Sequence, residues 1–253
     1  MNIVVLVKSI PDPNGNAELG DDFLVKREGE GTLDPGDEYA VEAALQLAEE
    51  TTGEVTVVSM GPAGAVSAIR RALSMGAHRA VLVSDDALRG SDVLATARVL
   101  AAATGRAPFD LVLTGVESTD GYTGTLPITV AELLGLPAVT FARKLGIADG
   151  RTRIERQTEA GYDVVECPLP ALVTVTAGAT DPRYPTLKGI MSAKQKPLEQ
   201  LSLADLGLSA GDLAPTQRVV AVEAAPQKGA GEVIQGDGAA SRVADLLADA
   251  KVI

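Results

Sequence analysis

The chain has 253 residues, enough for one large α/β domain or for a domain with an appendage. Its 22 Lys and Arg against 34 Asp and Glu give a formal net charge of −12, which argues against nucleic acid as a partner, because a phosphate backbone demands an extended positive field. The single cysteine, Cys167, excludes an internal disulfide framework and fits a reducing compartment, and the lack of a Cys or His cluster argues against a structural zinc site.

The chain opens with "NIVVLVK" (2–8), an apolar run too short for a secretory h-region or a membrane span, so a cytoplasmic protein without membrane insertion is expected. A long insertion, "SIPDPNGNAELGDDFLVKREGEG", follows and exceeds a normal strand-to-helix connection. "DEYAVEAALQLAEE" (37–50) then places Ala40, Ala43, Ala44 and Leu47 on one helical face, with Asp34 as a candidate cap. Three further runs, "EVTVVSM" (54–60), "RAVLVSD" (79–85) and "FDLVLTG" (109–115), are uniformly apolar, as expected of parallel strands covered on both faces. Between them "AVSAIRRALSMG" (65–76) and "SDVLATARVLAAATG" (91–105) carry helical spacing, the latter from a cap at Ser91 to Gly105. This alternation predicts right-handed βαβ crossovers and a doubly wound, mostly parallel open sheet, Rossmann-like in class.

After residue 150 the pattern changes. "RTRIERQTE" and "YDVVECPLPALVTVTAG" flank "AGY" and predict an antiparallel hairpin running into a final long strand. "DPRYPTLKGIMSAKQKP" (181–197) is a basic, apolar, irregular loop in an acidic chain. A short helix near 198–206, a linker "LSAGDLAPTQ", a strand-like "RVVAVEAA" and a terminal helix "SRVADLLADA" complete the chain. The expected division is an α/β nucleotide-binding domain at 1–208, including the loop at 181–197, and an arm at 209–253 expected to pack on another chain, since its Val243, Leu246, Leu247 and Ala250 need a surface to cover them.

Acid–base or nucleophilic catalysis has little raw material, since His78 lies between a helix and a strand and Cys167 lies within a strand. No Walker sequence and no G-x-G-x-x-G follows the first strand. "TGVESTDGYTGTLP" (114–127) lies instead at the carboxyl end of a strand and before a helix, where open sheets place ligands. Gly115, Gly121 and Gly124 allow close backbone approach, while Ser118, Thr119, Thr123 and Thr125 add hydroxyls near a helix N-terminus suited to phosphate. Glu117 and Asp120 would repel phosphate and suit ribose hydroxyls or base amino groups. An ordinary glycine-rich turn capped by Thr125 accounts for the same residues, and the composition leaves both readings open.

Taken in order, "VKSIPD" (7–12), "LDPGDEYAVEAAL" (33–45), "VSMGPAGAVSAIRRALSMGAHRAV" (58–81), "GVESTDGYTGTLPITVAELLGLPAVT" (115–140) and "DPRYPTLKGIMSAKQKP" (181–197) resemble the β subunit of electron transfer flavoproteins over essentially the whole chain. The resemblance implies an αβ heterodimer with FAD held mainly by the α subunit and AMP as a structural nucleotide in the β subunit. It implies electrons taken from acyl-CoA and related dehydrogenases and passed towards a quinone oxidoreductase, with the flavin and not this chain supplying the redox chemistry.

Carried over by motif, AMP would meet Leu6, Asp34 and its following loop, Met60, and the segment Gly115, Glu117, Ser118, Thr119, Asp120, Gly121, Tyr122 and Thr123, with Asp120 and Thr123 as the main polar contacts. In the matching docking loop Leu187 would be the anchor, Tyr184, Ile190 and Met191 would adjoin it, and Arg183, Lys188 and Lys194 would favour encounter with an acidic partner. The alternative for that loop is apolar residues packed inward beneath solvated lysines. "STDGYTG" is shorter than the Asp-rich loop of many members, which leaves open a second FAD in place of AMP, as in bifurcating relatives. A freestanding adenine-nucleotide sensor on the same fold is the reading from another class.

Overall fold

The computed structural model describes residues 1–15, 18–27, 30–223 and 231–253. Parts of the insertion after the first strand, and the end of the strand expected at 218–225, lie outside the described residues; within it, residues 218–223 form no strand. The chain divides into two compact units, Met1–Val219 and Val220–Ile253.

In the first unit β1 (Asn2–Leu6) leads to a small antiparallel pair, β2 (Ser9–Ile10) with β3 (Thr32–Leu33), and to α1 (Pro35–Thr51). Then follow β4 (Glu54–Met60), α2 (Val66–Met75), β5 (Arg79–Val83), α3 (Val93–Thr104), β6 (Leu111–Gly115) and α4 (Leu126–Leu134). A long β7 (Ala138–Ala148), the hairpin β8 (Arg151–Thr158) and β9 (Gly161–Pro168), and β10 (Ala171–Val175) come next, then α5 (Leu187–Ala193) and β11 (Leu198–Leu201).

Apart from the β2–β3 pair, these strands form one nine-stranded sheet in the order β11-β5-β4-β1-β6-β10-β7-β8-β9. Pairing is parallel from β11 to β7 and antiparallel from β7 through β9. The uniform apolarity of β1 has the expected cause. Ile3 and Val5 pack into one buried cluster with α1 and α2, while Val4 and Leu6 pack into a second cluster with α3 and α4. The expected face of α1 is buried at Ala40, Ala43, Ala44 and Leu47. The strand order reverses at β1, with β4 on one side and β6 on the other, so a crevice opens at their carboxyl ends.

Four further local expectations need correction. The helix expected near 198–206 is β11, an edge strand beside β5, followed by a single 3₁₀ turn at Ala204–Leu206: Ala80 and Ser84 of the β5 segment donate backbone hydrogen bonds to Pro197 and Leu201, so an open edge overrides local helical preference. The cap of α3 is Asp92, not Ser91, because the Asp92 carboxylate accepts from Ala95 N–H. The 181–197 loop contains the helix α5, capped by Thr186. Finally, the hairpin does not run on into one long strand, because β9 and β10 are separate and β7 lies between β8 and β10.

β7 itself escaped the sequence reading. A bulge lets Thr140 and Phe141 together oppose Thr174, so Val139 and Ala142, three apart, both face the core. Phe141 has φ of 61° and is turned to solvent, its N–H held by the Thr174 hydroxyl at 2.8 Å. The second unit holds α6 (Ala239–Asp249), none of whose residues is buried.

Candidate functional site

A cavity of about 260 Å³ opens at the carboxyl ends of β1, β4 and β6. Leu6, Met60, Val93, Leu100 and Leu126 give it an apolar wall, and Thr96, Ser118 and Thr123 add hydroxyls. Gly124, Leu126 and Pro127 bring the N-terminus of α4 to its edge; the cap residue Thr125 makes no side-chain hydrogen bond there and Pro127 has no N–H, so in the first turn Leu126 and Ile128 are the residues with an amide to offer an acceptor.

Of the residues expected at a nucleotide, Leu6, Met60, Gly115, Glu117, Ser118, Gly121 and Thr123 line this cavity. Asp34, Thr119, Asp120 and Tyr122 stand behind or outside it. Asp34 is fully buried; one carboxylate oxygen accepts from Gly36 N–H at 2.9 Å and the other from Thr119 N–H and Oγ1. It therefore clamps the 115–124 loop to the start of α1. Gly115 is explained by the same close approach, since a Cβ there would lie 2.8 Å from Asp37 Oδ1 and 3.3 Å from the Gly36 backbone. Tyr122 is exposed with φ of 47°.

Two cations on the cavity wall were not found by motif. Lys8 Nζ donates to Ser118 Oγ at 3.1 Å and to Asp120 Oδ1 at 2.7 Å, and Arg27 bonds the other oxygen of Asp120 and the Ser9 carbonyl. Burial pushes the Asp120 carboxyl up, but Lys8 and Arg27 outweigh it and hold it below the usual range. Asp120 thus sets two cations at the rim. Lys8 carried one sequence signal, its place at the end of the first apolar run; Arg27, inside the insertion, carried none.

Asp37 also lines the cavity and accepts from Lys8 N–H at 2.7 Å. Burial, with the Asp34 charge adding, pushes its pKa up to about 8 against the opposing Lys8 and Gly115 amides. Near neutral pH it is largely protonated and adds little negative charge to the wall.

At a separate surface, Tyr184 before α5 and Leu187, Ile190 and Met191 on it stand in solvent, Leu187 at 75% exposure, which removes the inward-packed alternative. Lys188 and Lys194 are exposed and make no ion pair among the described residues. Arg183 departs from expectation, because its guanidinium folds back onto Glu42 and Glu49 of α1. His78 Nδ1 accepts from Val55 N–H at 3.0 Å, and burial raises the Cys167 thiol, so both have structural surroundings. Among the described residues, no group of three or more His, Cys, Asp or Glu is placed to hold a metal ion, and no helix is long and apolar enough to cross a membrane.

The family model for the electron transfer flavoprotein domain matches residues 22–206. The chain is 41% identical over 265 residues to the electron transfer flavoprotein subunit beta of Mycobacterium leprae, covering 100% of this chain and 99% of the relative. The chain belongs to the electron transfer flavoprotein β-subunit family.

Further relatives include the electron transfer flavoprotein subunit beta of Bacillus subtilis, 37% identical over 257 residues with both chains fully covered. The caffeyl-CoA reductase-Etf complex subunit CarD of Acetobacterium woodii is 39% identical over 243 residues, 93% of this chain and 92% of the relative. Membership accounts for an α/β fold in electron transfer by a flavoprotein.

Proposed function

We propose that the chain is the β subunit of a cytoplasmic αβ electron transfer flavoprotein that holds AMP as a structural nucleotide, helps enclose FAD carried mainly by the α subunit, and docks acyl-CoA-type dehydrogenases before electrons pass to a quinone oxidoreductase. The observation that carries the reading is the cavity at the reversal of strand order, bounded on one side by the N-terminus of α4 and walled elsewhere by Leu6, Met60 and Leu100. An adenine ring fits the apolar wall, ribose hydroxyls suit Glu117 and Ser118, and a phosphate suits the α4 amides with Thr123, near Lys8 and Arg27. FAD, when bound in the heterodimer, supplies the redox chemistry; this chain binds, orients and docks.

The relationship to CarD supports a second reading, in which a second FAD takes the place of AMP. One experiment separates the two. The chain is co-expressed with its α subunit, the purified heterodimer is denatured, and released nucleotides are counted. One FAD and one AMP per heterodimer are expected; two FAD without AMP would replace the first reading with the second, and no flavin with no stable α partner would overturn both.

A further inference from the structure

The docking helix α5 has only seven residues, too few to hold its shape alone. Its rigidity must come from what it packs on. Gly189 lies so close to α2 that a Cβ would sit 2.5 Å from the Ser74 carbonyl oxygen. Beyond the far end of α5, Lys196 Nζ donates to the carbonyls of Leu73 and Ala77 at 2.9 and 2.7 Å, tying the chain after α5 to the end of α2. At the near end the fastening seen among the described residues is Arg183. It donates through Nε and a terminal nitrogen to Glu42 at 2.7 and 3.0 Å, through both terminal nitrogens to Glu49, and from its backbone N–H to Glu42 again at 3.1 Å.

Glu42 is 3% exposed, so its carboxylate would be a buried, unpaired charge without the guanidinium. Burial raises its pKa, but the Arg183 and Gln46 hydrogen bonds outweigh this and keep it ionised. Two carboxylates on one guanidinium leave that charge more than balanced inside this chain, whereas Lys188 and Lys194 keep theirs in solvent.

We infer that Arg183 is a positioning residue for partner docking: its clamp on Glu42 and Glu49 of α1 fixes the start of α5, so that Leu187 and Met191 are presented as a preformed anchor, and it takes no part in attracting the partner's charge. The inference rests on the docking role proposed for α5. A preformed anchor loses less conformational freedom on binding, so its loosening weakens capture and leaves the rate within the bound complex unaltered.

The test uses the heterodimer with its α subunit and an acyl-CoA dehydrogenase as electron donor. Arg183→Gln is expected to raise the KM for the heterodimer about fivefold to tenfold with kcat within about twofold, and to speed hydrogen exchange of the α5 amides in the free protein. The salt dependence of transfer should stay as in the parent, while Lys188→Gln and Lys194→Gln should flatten it. Arg183→Lys, whose compact ammonium cannot fork onto both carboxylates, should restore the KM only in part. Glu49→Gln, which removes the exposed arm of the clamp, provides a milder variant should Arg183→Gln fold poorly; it should shift KM and α5 exchange the same way.

Unchanged α5 exchange in both Arg183→Gln and Glu49→Gln, or a flattened salt dependence in Arg183→Gln, would overturn the inference. Leu187→Ala with unaltered transfer would instead sink the docking role on which it rests, and that failure is distinguishable because Leu187→Ala leaves the clamp in place.

Discussion

Asp34, buried at the N-cap of α1, accepts hydrogen bonds from both the backbone N–H and the hydroxyl of Thr119, 85 residues further along the chain, at 2.7 and 3.0 Å. One carboxylate thereby fixes the start of a helix and the floor of the loop that follows β6. Asp34→Ala should lower stability by about 1–3 kcal/mol, since a cap is lost and buried donors are left unpaired. It should also weaken nucleotide retention without the residue touching the cavity. Chemical denaturation and nucleotide content measure the two; an unshifted denaturation midpoint would contradict the clamp.

Asp120→Ala removes the shared partner of Lys8 and Arg27. Both cations are partly exposed, so the pairs are discounted for solvent, and a loss of about 1–2 kcal/mol is expected with weaker AMP retention. If AMP is retained, the melting temperature of the loaded protein should fall by no more than that of the nucleotide-free protein. Full retention with an unshifted melting temperature in both states would rule out a role for this carboxylate in shaping the site.

Asp37 and Asp120 should act oppositely on pH dependence. Asp37 titrates near 8 in the folded chain against 3.8 as its ordinary value, so the folded state binds the extra proton across that window. Its contribution is full below about pH 4 and is lost as pH rises through about 8. Asp120 is held below its ordinary range, so its contribution is present above that range and lost on acidification. Urea midpoints of Asp37→Asn from pH 5 to 9 should fall less steeply with rising pH than those of the parent; an identical slope would exclude Asp37 as the titrating group.

Leu187→Ala should reduce electron transfer from a dehydrogenase by about tenfold, the scale set by losing a central apolar anchor, while FAD and AMP content stay at parent values. Because Leu187 is 75% exposed in the free chain, thermal stability should shift by less than about 0.5 kcal/mol. A stability loss without a transfer defect would indicate packing within the chain instead.

Much was legible in the sequence because it is written locally. Short, β-branched apolar runs read as strands covered on both faces, and in β1 Ile3 and Val5 are buried on one face and Val4 and Leu6 on the other. Helical spacing located the buried stripe of α1, and the glycine and hydroxyl content of 114–127 marked the loop at the carboxyl end of β6.

What the tertiary structure alone decided depends on partners distant in sequence. The segment 198–201 is a strand because β5 has an edge to complete, and β7 hid its alternation because a bulge at Phe141 shifts the parity of its side chains. Lys8 and Arg27 reach the cavity wall together only through Asp120, more than ninety positions from either. Arg183 looked like one more cation of a basic loop, yet Glu42 and Glu49, over 130 positions earlier, turn it inward. Periodicity records which face of an element is covered; which charges meet is set by how the faces are stacked, and no local pattern contains that.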